Sequence, residues 1–413
     1  MTEPQAIRVR AEVQGLKYLD RLQVFLNRLH EVGCQRDTAH NRELHFDQYC
    51  MFILLFLFNP AVKSVRSLQQ ASELKAVQQR LGCPRVSLGS FSEAVDVFDP
   101  ERLKEIVGEL GRHLEARNRD SRLKDLNDTI TLVDGTLLTA LPRIAEASLL
   151  KSKTGSGLVK WRLHTHFEVD RHVPVRIDTT RAAGGNTDER AVLEATIAPD
   201  HLYVMDRGYA KFSLFNKIVA AGSSYVCRIR DNSVWKVVQE RTLSQAARAE
   251  RVLGDCVVSM GGESKKTARP NHVLRLITIQ RKPHRKAGRS SRYSRKGSTG
   301  PACDGVLRLA TNLLDVPAEV ISLLYHYRWT IEIFFRFLKQ ILGCRHLLSH
   351  SQNGIEIQTY CAIMACLLIR LWTGKKPTLR TYEMIYWYLI GLADLDEMAA
   401  HVEKLKDSEE NVR

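Results

Sequence analysis

Between residues 128 and 230 the apolar residues switch repeatedly between two periods, and the order of those switches constrains the fold more than any other feature. "TITLVDGTLL" (129–138) is β-branched and apolar, "VKWRLHTHFEVD" (159–170) alternates, and "VPVRIDTT" (173–180) follows at hairpin distance. "NTDERAVLEATIA" (186–198) then runs with helical period behind an N-cap at Asn186 or Thr187. "LYVMD" (202–206) reads as a short buried strand, 209–221 as a helix and "SSYVCRIR" (223–230) as another strand. Three strands followed by helix, strand, helix and strand describe a mixed sheet with helices on both faces.

That layout is α/β and ribonuclease H-like, the retroviral integrase-like arrangement, with the core expected over 121–345. A β-rich insertion is expected at 232–304. It contains "SVWKVVQE", "RVLGDCVVSM" and "HVLRLITIQR", and the pattern resumes at "GVLRLATNLL" (305–314). Residues 1–120 read as a separate helical region, with Ser90 and Glu93 forming a capping-box start for "SFSEAVDVF". A helix-turn-helix around "SVRSLQQASELKAVQQRLG" is the weaker reading, because Glu93 and Asp96 in the would-be reading helix face phosphates unfavourably. Residues 346–413 are expected to be helical, fraying in the charged tail from 402.

Charge points to a polyanionic partner. The chain has 61 Lys+Arg against 46 Asp+Glu, a net charge of +15. "RKPHRKAGRSSRYSRKGS" (281–298) holds eight Lys/Arg and no acid, which suits a mobile loop touching phosphates. The longest apolar run, "YCMFILLFLF" (49–58), is ten residues, about half of a bilayer crossing, and reads as a buried helix. Without a secretory signal at its start, and with nine cysteines and no C-x-x-C pair, the chain is expected in a reducing bacterial cytoplasm, associated with the nucleoid and not with a membrane.

Two aspartates stand at or near strand ends, Asp134 in "LVDGT" and Asp206 in "YVMDRGY". Strand ends of such a sheet are where sites gather. If 317–343 is one helix, Tyr325, Arg328, Arg336 and Lys339 all lie within roughly 40° of Glu332. Ile331, Phe334, Phe337, Leu338 and Ile341 fill most of the remaining surface, so the expected helix is buried nearly all round with one narrow polar stripe. Surface ion pairs at i,i+4 contribute only about 0.2–0.5 kcal/mol each and do not account for such a stripe. A pair of Mg²⁺ ions about 4 Å apart requires carboxylates from several elements, and a phosphodiester between them requires flanking cations and donors. Asp134, Asp206 and Glu332 suit the first role; Tyr325, Arg328 and Lys339 suit the second.

Tyr325, Arg328, Glu332 and Lys339 reproduce, with every gap intact, the Y-x2-R-x3-E-x6-K signature of the insertion-sequence-four family of bacterial DDE transposases. The chain resembles that family over "LVDGT", "YVMDRGYA", "YVCRIR", "LATNLLD" and "YRWTIEIFFRFLKQ", roughly residues 128–345. The resemblance implies a metal-binding triad of Asp134, Asp206 and Glu332 holding two Mg²⁺, with Mn²⁺ able to substitute. It implies that Tyr325, Arg328 and Lys339 grip transposon-end phosphates, with Arg336 one turn beyond Glu332, and it makes Arg207 and Arg228 phosphate ligands by position. It further implies cleavage at inverted-repeat ends, strand transfer of 3′-hydroxyls into target double-stranded DNA, and a homodimer in the DNA complex. Relatives that cut through a hairpin use a Trp in the insertion; none stands shortly before 325, Trp235 is at the other end and Tyr293 lies in the basic loop. Two rival readings are a catalytically silent captured transposase that only binds DNA and a structure-specific nuclease of the same fold. His164 and His166 read as ordinary strand residues, "AAGGN" (182–186) as a loop and "KTGSG" (153–157) as a turn.

Overall fold

The computed structural model describes residues 19–32, 37, 42–59, 62–114, 119–139, 160–181, 188–261, 269–280, 305–341, 348–349, 351–373, 378–389 and 392–405. The expected basic loop at 281–298, the turn at 153–157, the loop at 182–186 and the end of the tail lie outside them.

The N-terminal helices are α1 (Leu19–Leu26), α2 (Phe46–Phe58), α3 (Val65–Ser72), α4 (Lys75–Leu81), α5 (Leu88–Val97) and α6 (Glu101–His113). The apolar run is α2, buried along nearly its whole length. Ser87 caps α5, its Oγ accepting from the Ser90 amide, so the helix opens earlier than the expected capping box of Ser90 and Glu93.

Next come β1 (Thr129–Thr139), β2 (Lys160–Glu168), β3 (Val173–Arg181), α7 (Glu189–Glu194), β4 (His201–Met205), α8 (Phe212–Ala220) and β5 (Ser224–Arg228). Asp188 caps α7; the expected caps Asn186 and Thr187 lie outside the described residues. The helix also stops short of residue 198, because the Ala198 amide donates to Tyr203 Oη and its carbonyl accepts from Ser223 Oγ. The chain continues through β6 (Trp235–Glu240), α9 (Gln245–Ala249), β7 (Val252–Met260), β8 (Leu274–Gln280) and β9 (Val306–Thr311). It then forms α10 (Ala318–Tyr327), α11 (Trp329–Ile341), α12 (Gln352–Thr373), α13 (Leu379–Leu389) and α14 (Leu395–Glu403).

Among the described residues the nine strands form one mixed sheet in the order β3-β2-β1-β4-β5-β9-β8-β7-β6. The strands β1, β2 and β3 are antiparallel neighbours, whereas β4 and β5 run parallel to β1. From β5 outward the pairing is antiparallel, so the strands of the 232–304 stretch extend the same sheet through β9. Because side chains alternate along β1, Leu132 enters the large core with the N-terminal helices, while Val133 enters a second core with Leu193, Leu214 and Phe215. By length and composition Gln352–Leu371 could cross a membrane, but 94% of it is buried, packed between α2, α6 and β3.

The expected single helix over 317–343 is two helices, with Arg328 between them and residues 342 and 343 outside the described set. Nor is it buried all round: Trp329 is 53% and Ile333 46% exposed, so α11 turns one face outward.

Candidate active site

The register of the central strands builds the site. Val133 pairs with Met205 and Met205 with Cys227, and the next residues on β1, β4 and β5 are Asp134, Asp206 and Arg228. Three parallel strands therefore place two carboxylates and a guanidinium side by side, about 4.8 Å from strand to strand; Asp206 and Arg228 stand at the carboxyl ends of β4 and β5, whereas Asp134, expected near a strand end, lies in the middle of β1, which runs on to Thr139 along β2. Asp134 Oδ1 accepts from the Gly135 amide at 2.8 Å, and Arg228 Nη1 lies 4.0 Å from Asp206 Oδ1.

The two helices that follow β9 close this row. Tyr325, in the last turn of α10, donates through its hydroxyl to Asp206 Oδ1 at 3.2 Å. Arg328, at the break, donates to Asp134 Oδ2 at 3.1 Å and to Glu332 Oε1 at 2.5 Å, so one guanidinium joins β1 to α11. Lys339, two turns further along α11, donates to Thr136 Oγ1 on β1 at 2.5 Å. Asp134, Asp206, Tyr325, Arg328, Glu332, Lys339 and Arg228 are thus brought together. Arg207 follows Asp206 in a short turn, Arg207–Tyr209, and is half-buried. Arg336 is exposed on the outer face of α11, beside Trp329 and Ile333, because it falls one turn past Glu332 on the side that α11 turns outward.

The electrostatics are unresolved by the protein itself. Burial pushes the Asp134 carboxyl up to about 6, against the pull of Arg328 and the Gly135 amide and with the push of Asp206 and Glu332. Tyr325 is likewise raised by burial and stays a hydroxyl donor, and Arg328, against the cost of burial, is held firmly cationic by the acids around it. The Nε groups of Arg328 and Arg228 are both buried without a hydrogen-bond partner. Buried donors left unpaired in this way are costly, and these two are free to donate to an acceptor from outside the chain. The three acids do not have ligand atoms within 4.8 Å of one another; among the described residues that spacing is met by His30, Glu31 and His45. There the two imidazoles stack at 3.7 Å with an interplanar angle of 12°, and parallel stacked rings cannot both aim a nitrogen lone pair at one ion.

The family "Transposase DDE domain" matches residues 125–368, more than half of the chain. The chain belongs to the DDE transposase family. A Sinorhizobium fredii protein named as a transposase is 28% identical over 224 residues, 53% of this chain and 55% of that one. A Geobacillus stearothermophilus protein named as a transposase for insertion sequence element IS5377 is 24% identical over 210 residues, 51% of this chain and 48% of that one. The chain thus spans about half the length of these curated relatives. A cryo-EM structure of the piggyBac transposase synaptic complex with hairpin DNA aligns with TM-score 0.42 and 9% identity, over 98% of this chain and 85% of that one.

DDE transposases generally act with divalent metal ions, and the donor set here suits a hard cation: carboxylate oxygens from β1, β4 and α11, one of them on an acid whose ionisation is opposed by burial. Sequence reasoning did not single out Thr136, Arg162, Glu189 or Tyr209, all close to this row. The available signal was the pair of glycines, Gly135 and Gly208, that follow the two aspartates.

Proposed function

We propose that the chain is a cut-and-paste DNA transposase that cleaves element ends in a metal-dependent step and transfers the freed 3′-hydroxyls into target DNA. The observation that carries this reading is the row Asp134, Asp206 and Arg228, capped by Tyr325, Arg328 and Glu332 from the following helices. The five strands β3-β2-β1-β4-β5, with α7 and α8 in the crossovers, are read as a ribonuclease H-like core. In this reading 1–120 binds DNA ends, 121–345 is the catalytic core interrupted by the 232–304 insertion, and 346–413 is a C-terminal helical region.

Asp134, Asp206 and Glu332 would hold the cations, two Mg²⁺ or, in their place, Mn²⁺. Bound there, the metal would activate the attacking oxygen and offset charge on the leaving one. Arg328 is the chain's own counter-ion to two of the acids, and its unpaired Nε is a donor for a phosphate oxygen. Arg228 offers the same from the end of β5, while Tyr325 orients Asp206 and presents a hydroxyl that stays protonated. Lys339 adds a cation beside β1, and Arg207 and Arg336 extend the basic surface along the DNA backbone. The partners are double-stranded DNA, at inverted-repeat ends and at a target, and a second copy of the chain, acting in the bacterial cytoplasm on the nucleoid.

The test uses DNA carrying the inverted repeats that flank the coding region, with Mg²⁺. The parent should nick the ends and yield strand-transfer products in a plasmid, and Asp134→Ala and Glu332→Ala should do neither. Cleavage without strand transfer would favour a nuclease; end binding that is insensitive to Mn²⁺ and to Asp134→Ala would favour a captured, silent DNA-binding protein.

A further inference from the structure

We propose that Thr136 is a positioning residue for Lys339, its hydroxyl holding the ammonium in place for a DNA phosphate; the inference rests on reading Lys339 as a phosphate ligand. Thr136 lies outside the four-residue signature, two residues after Asp134 on β1. Its Oγ1 accepts from Lys339 Nζ at 2.5 Å.

Alternation along β1 puts Leu132, Asp134 and Thr136 on one face of the sheet, and Leu163, the β2 partner of Thr136, is buried in the same large core as Leu132. Asp134 and Thr136 are about 7 Å apart along the strand. Over that face lies α11, whose Ile331, Phe334, Phe335 and Leu338 enter the same core. Glu332 and Lys339, two turns apart, leave α11 on the same side. One is joined to Asp134 through Arg328, and the other meets Thr136 directly.

The plainer role for this hydrogen bond is to dock α11 on β1. Four buried apolar side chains of α11 do that already, so the bond is not needed to hold the helix. The half-buried ammonium is moreover costly where it stands, because burial opposes its charge and lowers its pKa with no acid to offset the loss. Elsewhere the chain treats its lysines differently. Lys104 donates to Glu101 and Asp178, and Lys217 to Glu194, so their charges are neutralised by carboxylates. A carboxylate at position 136 would hold Lys339 as well and cancel its attraction for a phosphate, whereas a hydroxyl holds without cancelling. The flexible lysine stem carries about 2 kcal/mol of rotamer entropy. Threonine is stiff at χ1, so a hydroxyl on the strand supplies a fixed end.

The test measures binding of the full chain to double-stranded DNA carrying the inverted repeats that flank the coding region, over a range of salt and without divalent cation, so that no cleavage intervenes. Lys339→Met should weaken binding about tenfold and reduce the slope of log affinity against log salt by about one, the loss of one phosphate contact. Thr136→Val and Thr136→Ala, which remove the hydroxyl with and without keeping the shape, should each weaken binding about fivefold, and Thr136→Ser should bind like the parent. In the Lys339→Met background, Thr136→Val should have no further effect. If the threonine variants weaken binding equally in both backgrounds, or bind like the parent while Lys339→Met does not, the positioning role is refuted and the phosphate-ligand reading stands. If Lys339→Met binds like the parent with an unchanged salt slope, the phosphate-ligand reading falls and Thr136 with it.

Discussion

Two arginine–aspartate pairs, one within the sheet and one between it and the helices that follow, do opposite work. In its outer half, Arg275 of β8 donates to both oxygens of Asp255 on β7, at 2.8 and 2.7 Å. Its remaining donor group reaches the carbonyls of Leu313, Leu314 and Val316 at 3.0, 3.2 and 2.5 Å. The pair is 2% and 5% exposed and closed on itself, tying the outer strands to the turn that leads into α10. At the site, Arg328 divides its donors between Asp134 and Glu332, keeps an unpaired Nε and leaves Asp134 with its ionisation opposed. The first pair, its partners all in place, is scaffold; the second, left partly unsatisfied beside two further acids, has donors and charge to spare for a ligand.

The contrast breaks first at Glu332. Glu332→Gln should lower end cleavage at least a thousandfold, about 4 kcal/mol at the barrier, with little change in the unfolding midpoint. Normal cleavage by that variant would show the site to be scaffold as well. Asp255→Ala should show the reverse, losing about 3–4 kcal/mol in a urea titration because the Arg275 charge is left buried without its counter-ion.

Asp134→Asn sharpens the comparison through pH. The folded carboxyl titrates near 6, above its ordinary 3.8, so its neutral form is favoured by folding and the stability it contributes is lost as pH rises through 6. The asparagine variant should therefore be more stable than the parent by about 2 kcal/mol near pH 8, with the difference fading below pH 6 and gone near pH 4. A constant difference across that range would mean that Asp134 is not under charge stress. Tyr325→Phe removes one hydrogen bond to Asp206 and should reduce cleavage about fivefold, roughly 1 kcal/mol. Smallest of all, Glu109→Gln breaks the exposed pair with Arg28 and should change stability by under about 0.5 kcal/mol.

Several of these features can be read from the residues alone. The strands around Asp134 and Asp206 are apolar and β-branched, so their existence follows from local period, and the Y-R-E-K spacing survives because Tyr325, Arg328, Glu332 and Lys339 share one short stretch of chain. Local pattern is less reliable where a helix can end in more than one way. The expected continuous helix divides at Arg328, the capping of α5 moves to Ser87, and Arg336 faces outward, since each depends on what packs against the helix rather than on its own sequence.

By itself the sequence determined which residues are acidic, cationic or apolar, and with what period, because those are properties of neighbours along one chain. Only the tertiary structure decided that Asp134, Asp206 and Arg228 fall in one row, that Arg328 joins Asp134 to Glu332, and that Lys339 meets Thr136. Strand register and approach across a sheet are contacts between segments far apart in sequence. They are set by which apolar faces bury together, and no local spacing encodes them.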